Sequence, residues 1–359
     1  MTKIIKNTSK NKVIKGEIKM NFEGFVEYLK NNKEINYNLL NEKNFRYVNY
    51  FLYRIKTAFD SYSNESDDAN KIWFNDKLNT LTEKHKNITN HAGILRELQI
   101  YGLLNNSPFK QGLKCAKTNK NATPDFIYKT TVDGKKIKIN IEVASSLGTG
   151  DEKKRKTEQG EIFTYGKPER EGIDNSLSEL IRMMNRIKKG DIQMKEDDIN
   201  ILAINLVNPI GEPIFLNLLE ERYKPYFIKK EGDSNTIFTG GIWQSFYSKK
   251  DDRIFVSIGM NDFIKEYVYK MEYNSRFQRK SIIDFVILNT YEGVVIYQNF
   301  NRNIEIPKCI YKCLMSLDNI NIDNLWLNYP KNNLEERVNY HRELGELYLR
   351  EAEESKSYV

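Results

Sequence analysis

The stretch Thr123–Ala144, TPDFIYKTTVDGKKIKINIEVA, decides how the chain is read. Apolar and polar residues alternate on both sides of Asp133-Gly134, a dipeptide suited to a two-residue hairpin loop because both loop positions need positive φ. With Asp133 and Gly134 as the loop, the numbers of paired residues sum to 267, and Asp125 falls directly opposite Glu142. The two carboxylates then share one face, with Cβ atoms ~5 Å apart. Phe126, Tyr128, Ile137, Ile139, Ile141 and Val143 take the other face, so an acidic face separates from an apolar one. Like charges placed opposite each other destabilise a bare hairpin, and a divalent cation between them removes that cost. The spacing also permits a solvent-facing hairpin whose acids pair with Lys129 or Lys138.

Outward from the hairpin, the apolar spacing is helical from Phe22 to about His85, with a polar loop at Ser61 to Asn70. A second helix is predicted over Asn90 to Leu104, with Ala92, Leu95, Leu98 and Gly102 on one stripe. After the hairpin come a charged connection (Gly148 to Arg170), an amphipathic helix (Ser176 to Lys189) and a buried strand (Ile201 to Val207). The remainder reads as a helix at Ile214 to Tyr223, strands near Thr236 to Trp243 and Arg253 to Ile258, and a helix near Asp262 to Met271. Strands at Ile282 to Leu288 and Val294 to Tyr297 and a charged helix from Leu334 to Glu354 complete it. The order is that of an α/β or α+β protein.

Composition narrows the chemistry. The 359 residues carry 56 Lys and Arg against 49 Asp and Glu, a net charge of +7, which suits a polyanionic partner and also suits an AT-rich genome. No apolar run approaches the ~20 residues of a membrane span. Residues 1–19 hold six lysines and one glutamate and no apolar signal core, so a basic arm and a cytoplasmic protein are expected. Three cysteines and three histidines are too few and too scattered for a disulfide scaffold, a Cys/His zinc site or a Ser/His hydrolase. Any bound metal must be held mainly by carboxylates, which favours Mg²⁺.

At Pro124-Asp125 and Glu142-Val143-Ala144 the chain resembles the PD-(D/E)xK nuclease superfamily, over about Asn90 to Pro209. The resemblance implies a restriction-endonuclease-like mixed central sheet flanked by helices. It also implies three regions: 1–86, the basic arm and N-terminal helices; 87–300, the catalytic core; and 301–359, a C-terminal helical extension. The implied activity is Mg²⁺-dependent hydrolysis of DNA phosphodiesters, with Mn²⁺ able to substitute. Asp125, Glu142, the Val143 carbonyl and Glu97 would bind metal. The motif lysine falls at Ala144, and Lys188 is the candidate replacement because it follows Leu177, Ile181 and Met184 at helical spacing. Lys138 and Lys167 are weaker candidates.

A type II restriction enzyme or related phage-defence endonuclease acting on double-stranded DNA is the expectation, as a homodimer and beside a cognate DNA methyltransferase. Loss of the motif lysine leaves a second reading, a catalytically inactive nucleic-acid-binding module. Lys153 to Lys156, the group Trp243, Gln244, Tyr247, Lys249, Lys250 and Arg253, and the cluster Arg276, Gln278, Arg279 and Lys280 are candidate nucleic-acid contacts.

Overall fold

The computed structural model describes residues 20–32, 46–83, 88–116, 123–145, 194–207, 226–231, 234–239, 241–260, 263–271, 274–290, 292–329 and 333–354. The hairpin forms in the expected register. β2 (Phe126–Val132) and β3 (Lys135–Ser145) pair antiparallel from Val132↔Lys135 to Phe126↔Ile141, and Asp133 and Gly134 both take positive φ, at 50° and 76°. That is the turn that Asp-Gly accommodates at least cost. β1 (Leu113–Cys115) adds antiparallel to β2, and β4 (Ile199–Asn205) adds parallel to β3.

Beyond β4 the sheet continues through β9 (Phe285–Thr290), β10 (Gly293–Gln298) and β11 (Ile320–Trp326), giving a seven-stranded mixed sheet in the order β1-β2-β3-β4-β9-β10-β11. β4 lies parallel to β9, β9 antiparallel to β10, and β10 parallel to β11. Every residue of β4, β9 and β10 is buried, as suits central strands covered on both faces. Residues 301–359, read as helical, thus also contribute an edge strand. Two separate hairpins, β5 (Tyr226–Glu231) with β6 (Ser234–Thr239) and β7 (Arg253–Met260) with β8 (Phe263–Lys270), complete the strands described.

Helices cover both faces. One core joins Ile139, Ile141, Ile201, Ala203, Phe285 and Ile287 to α1 (Phe22–Lys30), α2 (Arg46–Ser63), α3 (Asp68–Glu83), α4 (Ile88–Asn105) and α6 (Lys308–Met315). The alternate residues Leu202, Ile204, Val286 and Leu288 form a second core with α5 (Gly241–Tyr247) and α7 (Leu334–Glu354). This period-two division is the signature of a sheet between two apolar layers.

Several expectations are corrected. Among the described residues the region before residue 86 holds three helices, and the buried strand starts two residues early, at Ile199. Residues 263–270 form β8 instead of a helix: Phe263, Ile264, Tyr267 and Val268 mimic a helical stripe, but pairing with β7 prevails for a segment rich in β-branched and aromatic residues. Trp243 belongs to α5, where a strand was expected. The helices expected at 176–189 and 214–223, and the basic arm, lie outside the described residues.

Candidate metal centre

Asp125 sits immediately before β2 and is fixed from both sides. Its main-chain carbonyl accepts the Ala116 N–H at 2.9 Å, and its carboxylate Oδ2 accepts the Val143 N–H at 2.8 Å. In return, the Glu142 carboxyl accepts the main-chain N–H of Asp125. Extending the register one step beyond Phe126↔Ile141 sets Asp125 opposite Glu142 and Pro124 opposite Val143. Within a strand a residue's N–H and C=O face the same edge, so the Val143 carbonyl faces Pro124, which has no N–H to offer it.

The Asp125 and Glu142 carboxyls lie within hydrogen-bonding reach of each other. Burial, followed by the charges of Asp125 and Glu97, pushes Glu142 up to about 9, against the opposing main-chain N–H of Asp125. Burial raises Asp125 as well, offset by the Val143 N–H and by the positive charge of Lys77. Glu97 is pushed up to about 7 by burial and then by Asp125, with Lys77 opposing. The three acids therefore form one interacting group.

Glu97 reaches this group from α4. That helix lies close on α2 at Gly102, where an added Cβ would stand 2.7 Å from the Arg54 carbonyl oxygen and 2.8 Å from the Ala58 nitrogen. Only a glycine permits this approach. Glu97 is one of the acids expected from sequence to bind metal. Arg96 is buried, and Glu97 forms an ion pair with Lys77 of α3 in which both side chains are about one-fifth exposed.

Lys77 is the residue that the sequence reading missed. It follows Trp73 by one helical turn, and its ammonium lies 5.6 Å from the centre of the Trp73 ring. Trp73 packs against Phe126 at 5.3 Å and Tyr101 at 5.2 Å, so it locks this face of α3 onto the start of β2 beside Asp125. The Trp73/Lys77 spacing was the available signal, but nothing local in it points to Asp125, 48 positions downstream of Lys77.

Among the described residues no three His, Cys, Asp or Glu side chains converge into a ready-made metal cage. The donor set that does come together is the Asp125/Glu142 pair, with the Val143 carbonyl alongside. Two carboxylates and a carbonyl are hard oxygen donors, and Mg²⁺ typically takes only one or two carboxylates while keeping waters and substrate oxygens. The residues fit such an ion, whose charge would offset the repulsion between the two carboxylates.

The other predicted residues fall into two sets, those outside the described residues and those placed elsewhere. Lys188, Lys167 and the run Lys153 to Lys156 lie outside the described residues. Lys138 is paired with Asp198 at 2.6 Å, which removes one of the lysines considered as a partner for the hairpin acids. Trp243, Gln244 and Tyr247 are fully buried behind the sheet, so the base-contact reading of that group is corrected: they are core. Arg253 pairs with Glu346, while Lys249, Lys250, Arg279 and Lys280 remain exposed. Among the described residues no helix is long and apolar enough to cross a membrane. No family model matches the chain, and neither curated proteins nor solved structures give a match.

Proposed function

We propose that the chain is a Mg²⁺-dependent DNA endonuclease with a restriction-endonuclease-like core. The observation that carries this reading is the partly buried pair Asp125 and Glu142, placed opposite each other by the hairpin register. The order of elements supports it: helix α4, antiparallel strands β1 to β3, then β4 parallel to β3 with the site at the β2–β3 edge. Asp125, Glu142 and the Val143 carbonyl, with Glu97 beside them, would hold a divalent ion, which when bound would supply an activated water and Lewis acidity at a phosphate. The chain's own groups do the rest. The Val143 N–H aims the Asp125 carboxylate, the Asp125 N–H aims that of Glu142, and Lys77 balances the charge of Glu97.

By analogy with the superfamily, the substrate is double-stranded DNA and the setting a type II restriction or phage-defence system. A homodimer is the simplest device for cutting both strands, and a DNA methyltransferase would protect the host. One observation favours a second reading, a binding module without catalysis: the strand position that holds the motif lysine is Ala144, packed on the α5-side core. Cleavage of unmethylated plasmid and phage DNA in Mg²⁺ or Mn²⁺ separates the two. The endonuclease reading expects metal-dependent nicks or breaks that disappear in Asp125→Ala and Glu142→Gln. DNA binding without cleavage in either metal supports the module.

A further inference from the structure

Position 144 lies two residues beyond Glu142 on the same face of β3. There Ala144 neighbours Ile204 of β4 and packs against the apolar core on the α5 side. A lysine at 144 would have to place its amine against that core or thread it past Glu142. Strand β3 therefore contributes carboxylate but no cation to its own site.

The cation arrives from another element. α3 is anchored over the start of β2 by Trp73 against Phe126 and Tyr101, and one turn later it delivers Lys77 into an ion pair with Glu97. The same ammonium stands 5.6 Å from the centre of the Trp73 ring, so the ring that anchors α3 beside Asp125 also holds the cation there. Lys138, the described lysine on the hairpin's acidic face nearest to Glu142, is held away by Asp198.

We propose that Lys77 is the positioning cation of the metal centre, fixing the Glu97 carboxylate and balancing the acid group from α3 in place of the positive charge that β3 lacks at Ala144. The inference rests on the reading of the site as a metal centre. A lysine in this role acts through Glu97: it sets how much negative charge surrounds the ion and where that charge points. Arginine keeps the charge with a different reach, and methionine keeps the stem without the charge.

The test compares Lys77→Met and Lys77→Arg with the wild-type full chain in three measurements: single-turnover cleavage of duplex DNA in Mg²⁺, Mn²⁺ affinity without DNA by electron paramagnetic resonance, and duplex affinity in Ca²⁺. Lys77→Met is expected to cleave ~100-fold more slowly, the scale of removing one preorganised electrostatic partner. Its DNA affinity stays within ~3-fold, because the amine is directed at Glu97. Its Mn²⁺ affinity rises by roughly threefold to tenfold, because a positive charge has left the neighbourhood of the ion. Lys77→Arg recovers at least a tenth of the wild-type rate. Wild-type cleavage by Lys77→Met, or unchanged Mn²⁺ affinity, overturns the proposal. If Lys77→Met does not fold, Lys77→Gln in the same Mn²⁺ titration decides. Should wild type cleave nothing in either metal, the endonuclease reading fails separately, and the Mn²⁺ shift alone then judges the role of Lys77.

Discussion

Asp125→Asn should flatten the pH dependence of metal-free stability. Glu142 rises from its ordinary 4.5 to about 9 on folding, with burial and then Asp125 as the leading causes. A raised acid binds more protons in the folded state than in the unfolded one. Its contribution is therefore fully present below pH 4.5 and is lost as pH climbs toward 9. Between pH 6 and 8.5 the loss is about 1.4 kcal/mol per pH unit, or about 3 kcal/mol in all. For 359 residues at ~2.1 cal/mol/K each, this corresponds to a fall in Tm of about 4–5 °C. The amide introduced by the substitution can still accept the Val143 N–H but carries no charge. At ~5 Å and an effective dielectric of ~20, the repulsion removed is about 3 kcal/mol, so most of the Glu142 slope should vanish. The assay is differential scanning calorimetry in EDTA at pH 6.0, 7.25 and 8.5, with and without saturating Mn²⁺. Taking wild type minus Asp125→Asn cancels the titration of groups that do not interact with Asp125, while Glu97, which Asp125 also raises, adds to the difference in the same direction. At ~100 times its Kd, Mn²⁺ should stabilise wild type at pH 8.5 by about 2.7 kcal/mol, or ~3–4 °C, and leave the variant within ~1 °C. Equal slopes in the two proteins, or an undiminished Mn²⁺ effect in Asp125→Asn, would refute the reasoning.

Gly102→Ala should cost ~1–3 kcal/mol in urea unfolding, because its Cβ would meet α2 backbone atoms that cannot rotate away. Arg54 is fully buried and held by Asp318 and by the Tyr50 hydroxyl, so Arg54→Ala should cost ~3–5 kcal/mol by leaving the Asp318 charge without its partner. Lys129 and Lys136 are exposed on the face of the hairpin that carries Asp125 and Glu142, running away from the acids. The double variant Lys129→Gln/Lys136→Gln should lower the slope of log affinity against log salt for duplex DNA by roughly 1–2, and an unchanged slope would exclude that face from the contact.

The hairpin was legible because a two-residue turn leaves no freedom: once Asp133-Gly134 takes the loop, every cross-strand pair follows, including the opposition of Asp125 and Glu142. The stripe of α4 was legible for a similar reason, since helical period alone puts Leu95, Leu98 and Gly102 on one side, with Glu97 at its edge. Lys77 was not legible. Its role depends on how α3 lies across β2, which is set by Trp73 meeting Phe126 and Tyr101, contacts that local sequence does not encode. Trp243, Gln244 and Tyr247 were misread because stacking rings and an amide serve a core as well as a base. Only the burial of α5 against β9 and β10 separates the two. The β8 segment shows the reverse failure: its apolar spacing satisfies a helix, and the partner strand decides otherwise.

The central claim is that Asp125 and Glu142 together hold one divalent ion, and anomalous diffraction from a crystal of the full chain soaked in Mn²⁺ tests it most directly. The expected result is a peak about 2.0–2.3 Å from a carboxylate oxygen of each residue, with the Val143 carbonyl as a neighbour, and no such peak in Asp125→Asn. A wild-type map in which these carboxylates stay hydrogen-bonded to each other while manganese binds elsewhere would contradict the account.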